Sequence, residues 1–177
     1  EKNEGLVALV HDLLFLSRIE KETPHIEPVD LSLEIVKIIE DIKPYYPKIQ
    51  FSYTHDADSF LMQTNRSMVS QLFRNLITNA ADYSNRERGR VDISLKTENG
   101  KWIFECRDNG VGIPKSEQKK IFSRFFRASN ADEMKNSGTG MGLYIVKMIA
   151  DVLRWRVRFE SAMGEGTIFW GDIPIKK

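Results

Sequence analysis

The 177-residue sequence carries 26 basic and 25 acidic side chains, with 41% hydrophobic and 29% charged residues. That balance suits a folded chain with one good-sized core, and it excludes both a disordered polymer and a broad basic surface for nucleic acid. The lone Cys106 excludes an internal disulfide and fits a reducing compartment, while three scattered histidines lack metal-ligand spacing.

Residues 4–20, "EGLVALVHDLLFLSRIE", form the first amphipathic pattern, with Leu6, Leu9, Val10, Leu13, Leu16 and Ser17 on one broad face. A helix this apolar needs a partner, since short isolated helices are marginal in water. Pro24 and Pro28 punctuate residues 23–29, which read as a linker between a segment 1–22 and a domain 30–177. Asp30 can cap a helix bearing Leu31, Ile35, Ile38, Ile39 and Ile42, and Pro44 ends it. Ile49, Phe51 and Tyr53 alternate as a strand, and Asn65 can start the next helix. "RVDISL" and "KWIFEC" alternate on either side of Asn99-Gly100, a hairpin signal. Residues 115–140 read as a short helix within a long loop around an aromatic patch. A helix over 142–153 follows, with Leu143, Val146, Ile149 and Leu153 inward, and then two strands around the turn 164–166. The expected fold is an α/β (α+β) sandwich: helices on one face of a mixed, mostly antiparallel sheet, preceded by a partial helical hairpin. No run approaches membrane-spanning length and nothing resembles a signal peptide. A start at Glu1 rather than Met raises the expectation of a longer parent, whose remaining part could hold an anchor.

Within "FRNLITNAADYSN", Val69, Leu72, Phe73, Leu76 and Ala80 make an inward stripe, and Asn75 and Asn79 lie beside it one turn apart. Two amides so placed can simply edge the helix or bond nearby backbone. They can also offer neutral hard oxygens to magnesium when phosphates supply the charge. "RDNGVGIP" follows a strand. Asp108 there is either a turn acid or an acceptor for an exocyclic amine, and Gly110 and Gly112 allow close approach of a ligand. In "GTGMGLYIVK", Gly138, Gly140 and Gly142 open a helix whose N–H groups suit phosphate, with a structural hinge as the alternative. No Gly-Lys-Ser/Thr follows, so this is not a Walker loop. In "IFSRFFR", Phe122, Phe125 and Phe126 can pin a lid while Arg124 or Arg127 reaches phosphate, or the same rings can be ordinary core.

In this order the segments resemble the catalytic, ATP-binding domain of bacterial sensor histidine kinases, within the gyrase, Hsp90, histidine kinase and MutL ATPase group. "NLITNAADYS" is similar to that family's N box, "DNGVG" to its first glycine box, "IFSRFFR" to its F box and "GTGMGLYIVK" to its second glycine box. "GEGTIF", containing Thr167, is similar to the last glycine motif. The resemblance implies ATP and Mg²⁺ as cofactors. Asn79 would coordinate the metal with Asn75 assisting, Tyr83 would lie along the adenine, and Asp108 would bond its amino group. Gly110 and Gly112 would shape the base pocket, and residues 113–137, including Phe122, would form a lid. Gly138, Thr139, Gly140 and Gly142 would surround the phosphates, Arg124 or Arg127 would stabilise them, and Lys147 would contribute or only brace its helix. Many members have lysine where this chain has Asp82, which implies weaker nucleotide affinity unless Arg86, Arg124 or Arg127 compensates.

"LVHDLLFLSRIEKE" resembles the end of the second helix of the family's dimerisation and histidine-phosphotransfer domain, half of a hairpin that pairs into a four-helix bundle. The phosphoacceptor belongs to the first helix of that hairpin, and none of His11, His25 and His55 sits in such a box. The implied function is therefore the catalytic part of a two-component kinase, little able to autophosphorylate by itself. The implied partners are a histidine-bearing dimerisation domain, a response-regulator receiver domain and a parent homodimer. The implied location is cytoplasmic, with an inner- or plasma-membrane anchor left open for the parent. A noncatalytic ATP-sensing module and a structural dimerisation fragment are the alternatives. The set of motifs of a serine-threonine kinase is absent. No glutamate beside the asparagines is placed to activate water as in a gyrase-like clamp.

Overall fold

The computed structural model describes residues 2–21, 25–85, 87–131 and 138–175. Helix α1 (Lys2–Lys21) leads into strand β1 (Glu27–Asp30) and helix α2 (Leu31–Ile42). Asp30 caps α2 as its spacing suggests, its Oδ1 accepting from the N–H groups of Ser32 at 3.0 Å and Leu33 at 3.4 Å. A 3₁₀ turn at Lys43–Tyr45 carries Pro44 and ends the helix. Strands β2 (Ile49–His55) and β3 (Leu61–Thr64) precede helix α3 (Arg66–Tyr83), capped by Asn65, whose side chain accepts from Met68 N–H at 2.9 Å. Strands β4 (Gly89–Glu98) and β5 (Lys101–Asp108) form the expected hairpin. Its corner residues Asn99 and Gly100 have φ of 50° and 73°, the left-handed pair that a tight hairpin demands. Helix α4 (Gly142–Leu153) and strands β6 (Arg156–Ala162) and β7 (Gly166–Pro174) complete the described elements.

Five strands make one sheet in the order β2-β4-β5-β7-β6, with β2 parallel to β4 and every other pairing antiparallel. The four helices described above pack on one face of it, so the expected sandwich with a mixed, mostly antiparallel sheet is the architecture found. The helix stripe Val69, Leu72, Phe73, Leu76 and Ala80 is buried against sheet residues such as Phe104 and Cys106, and the Phe73 and Phe104 rings lie 4.6 Å apart. On α4 the buried stripe is Ile145, Val146, Ile149 and Ala150. Leu143 and Leu153 are only half-buried at its margin.

Two features depart from the sequence reading. Residues 23–29 are not all connector, because Glu27–Asp30 pairs with β3 in a separate antiparallel sheet. Arg66 secures this corner by bonding Glu27 at 3.0 Å and also Glu34, which in turn accepts from Ser70 Oγ at 2.6 Å. Helix α1, meanwhile, docks only through its C-terminal part. Leu16 and Ile19 join the core, whereas Leu6 and Leu14 are 60% and 55% exposed, so most of its apolar face is uncovered. No described helix is long and apolar enough to cross a membrane.

Candidate functional site

A cleft of about 420 Å³ opens where α3, the end of β5, the 111–113 turn, the 126–131 segment and the start of α4 converge. At its sheet end sits Asp108, 7% exposed. Its Oδ1 accepts from the N–H groups of Gly110 at 2.9 Å and Thr167 at 3.2 Å. Burial pushes its carboxyl up to about 6, against the lowering effect of those two bonds. The glycines around it are dictated by contact. A Cβ on Gly110 would lie 1.8 Å from the Tyr83 carbonyl oxygen, and one on Gly166 would lie 2.0 Å from the Asp108 carbonyl oxygen. Gly112 has φ of 67° and faces the Ala162 carbonyl in the same way. Val111 N–H donates to the Tyr83 carbonyl at 3.1 Å, tying this turn to the end of α3. Ser161, which the sequence did not mark, accepts from Ile113 N–H at 2.8 Å and shares a 2.9 Å hydroxyl contact with Thr167. Tyr83, Asp108, Gly112 and Thr167 thus line one end of the cleft, with Gly110 packed directly behind.

The other end is formed by the start of α4 and the polar face of α3. Gly138, Thr139, Gly140 and Gly142 line it, and no side chain caps the first turn of α4. Its leading N–H groups therefore leave an anion-favouring terminus beside the cleft. Gly140 takes φ of 68° against the Phe125 carbonyl. Arg127 lines the cleft and its Nη1 donates to the Gly138 carbonyl oxygen at 3.3 Å.

The two asparagines separate in role. Asn75 donates from Nδ2 to the Gly142 carbonyl at 3.1 Å and accepts from Gln71 Nε2 at 3.0 Å, so it staples α3 to the glycine segment. Asn79 also lines the cleft, but its amide makes no hydrogen bond among the described residues. A free amide oxygen at the rim of an anion-favouring cleft fits a hard divalent cation. Among the described residues no group of three His, Cys, Asp or Glu could hold a metal unaided, so a cation here would need ligands from a bound anion as well.

Three candidates from the sequence lie away from the cleft. Arg124 sits over the Tyr144 ring at 5.1 Å, held by that ring's negative face, and Lys147 pairs with Asp151 one turn along α4. Phe122 packs edge-on against Phe159 at 5.9 Å and pins its loop to β6, while Phe126 lines the cleft instead. Residues 132–137 of the expected lid, and Arg86, lie outside the described residues. Two carboxylates complete the cleft wall: Asp82, marked in the sequence only as standing where many family members have lysine, and Asp12, which the sequence did not mark. Asp82 accepts from Tyr46 Oη at 2.7 Å, and Asp12 of α1 accepts from Thr139 Oγ1 at 3.0 Å. Neither pairing has a local signal, since each joins residues far apart in the chain.

Residues 64–177 match the model of the histidine kinase-, DNA gyrase B-, and HSP90-like ATPase family. The chain belongs to that family. It is 34% identical over 180 residues to the sensor protein kinase WalK of Staphylococcus haemolyticus, an alignment that takes in 99% of this chain. It spans 29% of that relative's length. Among solved structures, a mycobacterial sensor histidine kinase, MprB, superposes with a TM-score of 0.75 at 29% identity, covering 84% of this chain and 97% of that one. The histidine kinase ThkA, solved in complex with the response regulator protein TrrA, shares the fold at 23% identity with a TM-score of 0.73, covering 98% of this chain and 48% of that one. The chain therefore carries an ATPase-family domain of the sensor histidine kinase kind.

Proposed function

We propose that this chain is the catalytic part of a two-component sensor histidine kinase. It binds ATP with Mg²⁺ and presents the γ-phosphoryl group to a histidine on a separate helix of the parent, for onward transfer to a response-regulator aspartate. The observation that carries the reading is the convergence in one cleft of Asp108, Asn79, Arg127 and the uncapped start of α4.

Asp108 accepts a hydrogen bond from the exocyclic amine of adenine, Tyr83 lies along the base, and Gly110, Gly112 and Thr167 fix the carboxylate and the pocket wall. Asn79 offers its amide oxygen to the metal, and Asn75 positions the glycine segment through Gly142. Asn79 is the residue of this chain that would hold a bound Mg²⁺, which would supply charge neutralisation to the phosphates. The N–H groups at the start of α4 and the Arg127 guanidinium stabilise charge on the transferring phosphoryl group, so catalysis here is positioning and electrostatics. The histidine's attack on phosphorus displaces ADP, and no side chain of this cleft takes the phosphoryl group. Alone, the chain binds nucleotide with little self-phosphorylation. Residues 1–22 belong to the phosphotransfer hairpin, and the uncovered stripe of α1 faces the rest of a helical bundle in a dimeric parent. In that parent the domain works on the cytoplasmic side.

Calorimetry with a nonhydrolysable ATP analogue and Mg²⁺ tests the binding step. Incubation with radiolabelled ATP and a histidine-bearing hairpin, carrying no catalytic domain of its own, tests transfer. Labelled hairpin is the expected result. Binding without transfer to such a hairpin points to an ATP-sensing module, and no uptake by folded protein rules out the nucleotide reading.

A further inference from the structure

Gln71 lies one turn before Asn75 on α3, outside the wall of the cleft, while Asn75 and Gly142 both line it. The three are joined in series. Gln71 Nε2 donates to Asn75 Oδ1 at 3.0 Å, and Asn75 Nδ2 donates to the Gly142 carbonyl oxygen at 3.1 Å. A backbone carbonyl can only accept, so Asn75 turns its NH₂ to Gly142 and its oxygen to Gln71. Gln71 has to answer with its own NH₂, because two amide oxygens at that distance would repel. Gly142 is the first residue of α4, and an added Cβ there would lie 3.8 Å from Asn75 Cγ, so the amide rests directly on the opening turn of that helix. The Gln71 and Asn75 side chains are half-buried, which limits the water available to restore a lost bond.

We infer that Gln71 is a positioning residue for the phosphate end of the cleft, acting through Asn75 on the first turn of α4. This rests on the nucleotide reading above and adds to it a residue that stands outside the cavity. By donating to Asn75 Oδ1, Gln71 keeps that amide from rotating by half a turn. Rotation would set Asn75 Oδ1 against the Gly142 carbonyl oxygen, replacing a bond between α3 and α4 with a repulsion. The start of α4 would then move away from α3. The N–H groups that favour an anion sit on that same uncapped turn, so a shift there displaces the phosphate site itself.

The test measures affinity for a nonhydrolysable ATP analogue with Mg²⁺, by calorimetry, in Gln71→Glu and Gln71→Met. Glu keeps the shape of Gln but, once ionised, only accepts, so Asn75 rotates to donate to it. Met keeps the length and makes no such bond, leaving Asn75 free to stay on Gly142. The dissociation constant is expected to rise on the order of tenfold in Gln71→Glu and by no more than about threefold in Gln71→Met. A side chain that only packs against its neighbours gives the opposite order, since Glu is the closer mimic. Repeating Gln71→Glu in an Asn75→Ala chain separates orientation from charge: the penalty should shrink to under about twofold there, whereas direct repulsion of phosphate by the new carboxylate would persist. A folded Gln71→Glu variant that binds no worse than Gln71→Met, or a penalty that survives the loss of Asn75, overturns the inference. Should Gln71→Glu not fold, side-chain amide exchange in the unaltered chain decides. The Gln71 and Asn75 amide protons should exchange with water several-fold slower than those of the exposed Gln63, and equal rates defeat the inference. If the unaltered chain binds no nucleotide, the functional reading fails instead, whatever the amide exchange shows.

Discussion

At the sheet end of the cleft, Asp108 has two backbone donors on one oxygen, and a Cβ added to any of Gly110, Gly112 and Gly166 would lie 1.8–2.0 Å from a carbonyl oxygen. At the helix end, Asn79 bonds nothing among the described residues and α4 starts without a side-chain cap. The first end is a rigid mould whose polar groups satisfy one another. The second holds donors and acceptors in reserve for a ligand. Stability should therefore reside in the first, and cation and phosphate affinity in the second.

Glycine substitutions should break this contrast most sharply. Gly110→Ala drives a methyl into the Tyr83 carbonyl at 1.8 Å, where only backbone movement can make room. We expect a loss of about 2–4 kcal/mol, read as a fall of roughly 4–15 °C in Tm, together with loss of nucleotide binding. Gly142→Ala is the counterpart. Its added Cβ would meet nothing closer than Asn75 Cγ at 3.8 Å, so melting should move by no more than about 2 °C. Equal damage from the two would refute the mould description.

The asparagines sharpen the contrast at smaller amplitude. Asn75→Ala removes a bond to the Gly142 carbonyl and should cost about 1 kcal/mol, seen in denaturant unfolding as a lower midpoint. Asn79→Ala has no such bond to lose, so its midpoint should stay put while affinity for the analogue with Mg²⁺ drops on the order of tenfold. A destabilised Asn79→Ala with normal affinity would exchange the two roles.

Why the sequence placed these residues in one site but misjudged some roles follows from the range of the interactions. Caps at Asp30 and Asn65, the Asn99-Gly100 corner and the glycine-opened α4 are local, and each declared itself through residues a few positions apart. The pairing of Glu27–Asp30 with Leu61–Thr64 spans more than thirty positions, so the stretch before Asp30 read as linker. Side-chain direction is equally nonlocal. Arg124 and Arg127 are indistinguishable in "RFFR", and only the chain path through Phe125, with φ of 62°, sends one over Tyr144 and the other into the cleft. The sequence left Phe122 between lid pin and ordinary core, and Lys147 between phosphate and helix brace; packing on Phe159 and pairing with Asp151 give their places in the fold. Asp82 looked like a defect in a pattern until Tyr46 came into view across the fold.

Proton uptake offers a further probe of the rigid end. Burial raises Asp108 from an ordinary 3.8 to about 6, so the folded chain holds a proton there that the unfolded chain releases. Its contribution to stability is fully present below about pH 3.8, is lost as pH rises toward 6, and is flat beyond. Adenine binding runs the opposite way, because the exocyclic amine needs the ionised acceptor. Affinity for the analogue should fall as pH drops through 6, and Asp108→Asn should bind weakly with that inflection gone. A profile unchanged in Asp108→Asn would assign the proton elsewhere.

The smallest effect concerns α1, which touches the helix end of the cleft through one polar bond among the described residues. Asp12 accepts from Thr139 Oγ1, and the same hydroxyl oxygen accepts from Met141 N–H at 3.2 Å, so Thr139 links α1 to the glycine segment. Asp12→Ala removes that link and leaves Leu16 and Ile19 in the core. The expected cost is about 0.5–1 kcal/mol, confined to α1. Hydrogen exchange should speed by a few fold at amides around residue 12, with β4 and β5 unchanged. The altered chain should also bind the analogue slightly more tightly, because one carboxylate leaves the wall that faces phosphate. Unchanged exchange would mean that the apolar anchor alone holds the helix, and weaker binding would mean that Asp12 organises Thr139 for the ligand rather than occupying it.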